Sequence, residues 1–379
     1  MKKILFVFLC ALFAVQCFSQ KTTNEHYLVV GTYTKGKSKG INVFKFNSQD
    51  GSVSFVSETP TSNPSYLTFS PGQKFIYAVN ENNNQQNTGG GVTAFSFDKK
   101  TGTLSQLNEQ PSGGDDPCYI TVDKTNKWVI VGNYSSGTFS IFPIQKDGSL
   151  GAATTHIQHE GSSVNSERQE GPHVHETVLT KDNKYLFVPD LGMDKVMIYD
   201  FNSKNGTVAA SKTPYVEEEA GTGPRHIAFS PDGKYAYVIT EMGGNISAYA
   251  YEGKGQLALL QNISALPPDY TGPVGSAEIE VSADGRFLYA SNRGESNTIA
   301  VFSINPKDGQ LTLLQHQSTL GSGPRHFTID PSGNFLLVGN QNSDSIVIFK
   351  RDKKTGLLTD SGKRIAVGSP VCLQWATLK

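Results

Sequence analysis

The sequence predicts an all-β protein: a seven-bladed β-propeller of four-stranded antiparallel blades, closed by pairing of its N- and C-terminal strands in one blade. Three observations predict it. A segment made of two alternating runs around a turn recurs with a period of about 50 residues, the signature of a stacked supersecondary unit. Each period holds about four strand-like runs in which apolar and polar residues alternate. The repeat is also split between the two ends of the chain.

The elements follow in chain order. Lys2 and Lys3 precede the apolar run Ile4 to Val15, and Cys17-Phe18-Ser19 supplies small residues at a cleavage site. Residues 1–19 therefore read as a secretory signal peptide, and residues 20–379 as one propeller domain. The apolar run is too short to span a membrane. The protein is expected to be exported, periplasmic or extracellular. Lipidation at Cys17 is the alternative to cleavage after Ser19, and the bulky Gln16 speaks against it.

HYLVVGTYT, from His26, reads as a second strand with no first strand before it. The full repeats come next: NPSYLTFSPGQKFIYAVNE from Asn63, DPCYITVDKTNKWVIVGNY from Asp116 and GPHVHETVLTKDNKYLFVPD from Gly171. GPRHIAFSPDGKYAYV from Gly223, AEIEVSADGRFLYASNR from Ala277 and GPRHFTIDPSGNFLLVGN from Gly323 complete the set. Aligning their turns places Gly72, Asn126, Asn183, Gly233, Gly285 and Gly333 in register. SPVCLQWATL at the C-terminus reads as a first strand with no second, so joining it to HYLVVGTYT closes a ring and removes an exposed edge. Outer strands are expected at SLGAATTH, QLALLQNI and QLTLLQHQS. Hairpin turns are expected at Asp50-Gly51, Thr101-Gly102, Asp147-Gly148, Asp308-Gly309 and Thr355-Gly356. No stretch carries a sustained helical stripe. Units of this kind around an axis are propeller blades.

Composition agrees. Gly 38, Tyr 15 and Phe 21 suit many tight turns and stacked sheets. A net charge of −1 without a basic patch argues against a nucleic-acid partner. Cys118 and Cys372 fall on separated blades and read as small buried side chains rather than a disulfide.

The turn alignment also says what lines each mouth of the channel. First strands start with Ser65-Tyr66, Cys118-Tyr119, His175-Glu176, Arg225-His226, Ala277-Glu278, Arg325-His326 and Val371-Cys372. Second strands end with Asn80-Glu81, Asn133-Tyr134, Asp190-Leu191, Thr240-Glu241, Asn292-Arg293 and Asn340-Gln341. One rim thus gathers ionisable groups, as expected of a ligand site. The repeated Asn residues read as ties between blades. His175, Arg225, Glu241, Arg293 and Arg325 read as functional, because different blades supply different chemistry at equivalent places. His226 and His326 fit a buried structural role and a functional one equally.

These motifs, in this order and spacing, resemble the bacterial seven-bladed lactonases of the 6-phosphogluconolactonase type, and are similar to the fungal muconate lactonising enzymes. PHVH, GPRH with Glu241 sixteen residues beyond its Arg, AEI…SADGRFLYASNRG, PRHF.IDPSGNFLLVGNQNSD and the terminal SPVC carry the resemblance over nearly the whole mature chain. It implies metal-free, cofactor-free hydrolysis of a sugar lactone by His175, Arg225, Glu241 and Arg293 at the channel mouth. Two departures stand out. The family pattern has His after AEI, where this chain has Glu280, and a phosphorylated lactone is normally cytosolic, whereas this chain has a leader.

The chemistry fits those residues. His175 and Glu241 form an acid–base pair that activates water, Arg225 meets the oxyanion, and Arg293 orients an anionic group of the lactone. Which member of the pair is the base stays open. His173, Glu176, His226, Glu278, Arg325 and His326 are expected to bind substrate. His173, His175 and Glu176 would be the first ligands of any metal, but a third ligand of fixed spacing is not evident, and none is expected. Gly36-Lys37-Ser38-Lys39-Gly40 matches the string of a serine-hydrolase elbow without the helix that motif requires. His156, His159 and Glu160 open a polar stretch with Glu167, Arg168 and Glu170, read as a solvated loop that overhangs the mouth. The expected partner is a small anionic lactone and the expected state a monomer. The alternative reading is a noncatalytic exported propeller that binds a protein or a cell-surface carbohydrate.

Overall fold

The computed structural model describes residues 24–84 and 89–378. The signal-peptide reading of residues 1–19, with Cys17, lies outside the described residues. Among the described residues the strands form seven four-stranded antiparallel sheets, each a blade. Blade 1 joins the C-terminal strand Pro370–Thr377 to Glu25–Thr32, Gly40–Asn47 and Val53–Pro60. Blades 2 to 7 start, in chain order, at Leu67–Phe69, Pro117–Val122, Val178–Leu179, Pro224–Phe229, Ser276–Val281 and Pro324–Ile329. The two ends of the chain pair antiparallel from His26↔Thr377 to Gly31↔Cys372, which is the expected closure. Short 3-10 turns, Leu191–Met193 and Gln341–Ser343, interrupt the sheet among the described residues.

The core is divided among the blades. Buried residues fall into clusters that each span two neighbouring blades, such as Tyr237, Ile239 and Ala248 of blade 5 against Leu288, Ala290 and Phe302 of blade 6. The strand period turns alternate side chains to opposite faces, so both faces of every blade pack on a neighbour.

The turn between first and second strands needs a left-handed residue. Asn126, Asn183, Gly233, Gly285 and Gly333 all have positive φ, as aligned. In blade 2 the position belongs to Gln73 (φ 53), so the alignment of Gly72 is one residue early. The outer strand of blade 3 is also later than SLGAATTH: it runs Thr155–Gln158, because Leu150 is drawn into an isolated bridge with Ile144. QLALLQNI and QLTLLQHQS match Leu257–Ser264 and Leu311–Ser318. Cys118 and Cys372 are unpaired and buried.

Candidate active site

Irregular strand starts shape one mouth of the channel. In blade 5, Pro224 pairs with Thr240 and His226 with Ile239, which leaves Arg225 bulged out of the ladder. Cys118 in blade 3 and Arg325 in blade 7 are bulged in the same way. A bulge breaks strict alternation and re-aims side chains. Consecutive residues such as Arg225 and His226 can then both meet the channel. Blade 4 departs further. His175 and Glu176 lie between an isolated bridge, Val174 to Asp190, and the short strand Val178–Leu179.

Glu241 is the hub of this mouth. Its Oε2 accepts from Arg225 Nε at 3.0 Å and lies 2.8 Å from Arg293 Nη2. Its Oε1 accepts from Arg168 Nη2 at 2.8 Å. Burial opposes ionisation of Glu241, yet Arg293, Arg225 and Arg168 outweigh it and hold the carboxyl far below the usual carboxylate range. Arg225 lies behind this hub, 2 % exposed, with Nη1 donating to the Ala277 carbonyl at 2.7 Å. Burial, with Arg293 and Arg325 nearby, brings its pKa down to about 10, so it stays charged at neutral pH.

A cavity of about 330 Å³ opens above Glu241, lined in part by Tyr33, Glu81, Tyr134, Arg168, His175, Arg293 and Arg325. His175 Nε2 is 3.9 Å from Glu241 Oε2. Burial, then the charges of Arg225 and its neighbours, push the His175 pKa well below 6.5, so the imidazole is neutral at neutral pH. Arg325 lies over the Tyr33 ring at 5.7 Å and pairs with no carboxylate among the described residues. Burial works against its charge, and Tyr33, Glu81 and Glu241 more than offset that. The Cys118 thiol, 3.9 Å from His175 Nδ1, is pushed above its ordinary pKa by burial, which leaves it a thiol rather than a nucleophilic thiolate.

A second layer lies deeper. Glu278 sits between His226 and His326, each 3.3 Å from one of its oxygens. Tyr66 and Tyr119 stack beside them at 4.1 Å. Burial holds His226 and His326 neutral, with the His326 pKa lowered to about 4, and it raises Glu278. Glu176 accepts from the Ile227 N–H at 2.5 Å, across to the next blade. Glu280 accepts from Ile329 N in the same manner, and burial raises its pKa to about 8.

The structure thus brings His175, Arg225, Glu241, Arg293 and Arg325 together. It places His226, Glu278, His326 and Glu176 beneath them. Arg225, expected at the oxyanion, is screened from the cavity by Glu241. His173 stands aside, stacked on Tyr134 at 4.5 Å with Nε2 3.5 Å from Glu170. His173, His175 and Glu176 therefore point to different partners. The loop overhanging the mouth is less solvated than expected. His159 is buried, 2.6 Å from Asp190 Oδ2 and 2.9 Å from the Tyr199 hydroxyl, while His156 is on the outer strand. Ser163 donates to Asp194, and Gln169 to the Leu191 carbonyl, so Arg168 is presented over the mouth by a tethered strap. Ser38, in the elbow-like string, is buried and bonded to Thr32 Oγ1 at 2.8 Å, a structural role. Arg168 and Tyr33 are cavity residues outside the rim read from the sequence, and Glu81 and Tyr134, which were on that rim, were given no role.

Comparison with known proteins agrees with this architecture. Residues 27–375 match the family described as Lactonase, 7-bladed beta-propeller. A 6-phosphogluconolactonase of Bacillus subtilis is 38% identical over 348 residues, covering 91% of this chain and 97% of the relative. A 6-phosphogluconolactonase of Formosa agariphila is 38% identical over 354 residues, covering 92% and 99%. The solved structure of the periplasmic gluconolactonase of Pseudomonas aeruginosa superimposes with a TM-score of 0.90 at 38% identity, covering 94% of this chain and 100% of that one. The chain belongs to the seven-bladed β-propeller lactonase family.

Proposed function

We propose that the protein is an exported hydrolase that opens a sugar lactone in the cavity above Glu241. The observation that carries this reading is a neutral imidazole, His175, beside an arginine without a carboxylate partner, Arg325, in a concave site. Lactone hydrolysis needs a proton acceptor for water and a cation for the oxyanion. His175 takes the proton as water attacks the carbonyl carbon. Arg325 and Arg293 hold the oxyanion. The ring C–O bond then breaks, and the alkoxide recovers the proton from His175 to give a hydroxy acid. Glu241 is a poor base because its two oxygens are occupied by three arginines. It and Arg225 position Arg293. The cations thereby meet charge that the reaction itself generates. Export rests on the leader and on the periplasmic relative.

The test is hydrolysis of glucono-1,5-lactone by the purified mature protein, with and without chelator, against spontaneous opening. Activity is expected with chelator present. Because the His175 pKa lies below 6.5, the base stays neutral on mild acidification, and kcat/KM is expected to stay level from pH 7.5 to pH 6. Arg325→Lys keeps the charge but loses the planar fork, and is expected to lower kcat/KM about tenfold or more. A parent protein no faster than background would leave the noncatalytic propeller as the reading.

A further inference from the structure

The cavity above Glu241 has a neighbour. A second cavity, of about 410 Å³, adjoins it across Tyr33 and Glu81, and its wall includes Lys35, Asn83, Asp116 and Gln341. Its chemistry is opposite to that of the first. The first is dominated by arginines; here two carboxylates, Glu81 and Asp116, stand against Lys35.

Among the described residues, two atoms in this wall are buried acceptors without a donor. Glu81 Oε1 accepts from the Tyr33 hydroxyl at 2.7 Å, and Glu81 Oε2 has no partner. Asn83 Nδ2 donates to Asp116 at 3.1 Å, and Asn83 Oδ1 has none. Those bonds also fix the orientation of both side chains. A buried acceptor left unmade costs free energy, so each such atom calls for a donor. Both the Glu81 carboxylate oxygen and the Asn83 amide oxygen are placed as acceptors. The group that satisfies both is a donor without negative charge. Sugar hydroxyls fit. A phosphate, itself an acceptor and an anion, would face Glu81 and Asp116.

We infer that the cavity walled by Tyr33, Glu81 and Asn83 is a hydroxyl-reading subsite that holds the polyol arm of the lactone and selects an unphosphorylated sugar lactone over its phosphate ester. The inference rests on the proposed lactonase reading, because the reacting carbonyl must lie in the adjoining arginine-lined cavity. The two cavities together then divide the substrate: the carbonyl goes to the cations, the hydroxyls to the acceptors. Asp116 supports the subsite at one remove, since it holds the Asn83 amide and is itself held by Ser135.

The test compares kcat/KM for glucono-1,5-lactone, its 6-phosphate and δ-valerolactone, which lacks hydroxyls. The parent is expected to prefer glucono-1,5-lactone to its 6-phosphate. Glu81→Gln and, separately, Asn83→Ala are expected to lower the ratio of glucono-1,5-lactone to δ-valerolactone by about tenfold, the loss of a hydrogen bond or two. Glu81→Gln should also move the neutral-to-phosphate ratio toward the phosphate. Each variant is first checked for an unchanged unfolding temperature, and Asn83→Ala serves if Glu81→Gln does not fold. A parent preference for the phosphate ester, or equal losses on glucono-1,5-lactone and δ-valerolactone in both variants, would overturn the subsite. Failure of the lactonase reading is separate: the parent would then open none of the three lactones. Binding of gluconate, measured by calorimetry, would decide the subsite in that event. Retention of it in both variants would sink the inference, and its loss would support it.

Discussion

Three arginines engage both oxygens of Glu241 and hold its carboxyl ionised, and they depend on it in turn. Arg225 and Glu241 are 2 % and 8 % exposed, so removing the carboxylate leaves buried positive charge without a partner. Breaking a buried pair in that way costs about 3–5 kcal/mol. Glu241→Gln is therefore expected to lose stability of that order in denaturant unfolding, besides losing activity. Unchanged unfolding would mean that the arginines find other partners. The pH dependence has a definite sign. The folded carboxyl lies far below its ordinary pKa, so its contribution is fully present at neutral pH and is lost progressively as pH falls from the ordinary carboxylate range through that depressed value. At this scale the sequence showed much of the site, because equivalent positions in the repeats put His175, Arg225, Glu241, Arg293 and Arg325 on one rim. It missed Arg168, which sits in an insertion with no counterpart in other repeats, though the charged run Glu167, Arg168, Glu170 marked the spot. It missed Tyr33 because the comparison of second-strand ends left out the split blade, whose end is Thr32 and Tyr33. The competition among arginines for Glu241 is a matter of distances, which repeat spacing does not carry.

Between elements, one contact recurs around the ring. The outer hairpin of each blade carries a glycine of positive φ, and an aromatic ring from the second strand of the preceding blade lies against it. Phe75 meets Gly148, Trp128 meets Gly206, Tyr185 meets Gly255, Tyr235 meets Gly309, Phe287 meets Gly356, Phe335 meets Gly51 and Tyr27 meets Gly102. Five of these glycines, Gly51, Gly102, Gly148, Gly309 and Gly356, were legible as turn signals. Their second duty, to leave room for a ring, was not, because it joins residues about one blade apart. A methyl group on Gly309 would stand 2.2 Å from Tyr235 Cδ1, and the φ of +73 disfavours any side chain. Gly309→Ala is expected to cost at least about 2 kcal/mol from strain and overpacking together. Tyr235→Ala should relieve the clash but not the φ strain. A double-mutant cycle is then expected to show favourable coupling of about 1 kcal/mol. Strict additivity would mean that the ring and the turn do not compete for the same space. The Gln73 position teaches a related lesson. A turn residue of unfavourable type is tolerated where the surrounding repeat dictates the backbone, so aligning on glycine alone misplaces it by one.

For the whole molecule, the decisive joint is blade 1. A linear stack of repeats has two ends that need caps, whereas a ring has none. Here the ring is closed by hydrogen bonds between the strand Pro370–Thr377 and Glu25–Thr32, segments from opposite ends of the chain. The terminal strand is also packed on both sides. Cys372 and Ala376 belong to the cluster shared with blade 2, and Leu373 to the cluster shared with blade 7. Removing it would uncover two hydrophobic surfaces and an unpaired strand edge at once. The damage should spread, since every other blade relies on an unbroken ring for its neighbours. Deletion of residues 371–379 is expected to abolish cooperative thermal unfolding of the protein. Leu373→Ala is the graded version. Leu373 is 1 % exposed, and truncation of such a side chain costs about 2–5 kcal/mol, enough to lower the unfolding temperature by several degrees while leaving a folded ring. A deletion protein that unfolded as cooperatively, and at the same temperature, as the parent would show that the ring holds without its closing strand. Loss of cooperativity in the deletion with a simple shift in Leu373→Ala would place the stability of all seven blades in that one joint.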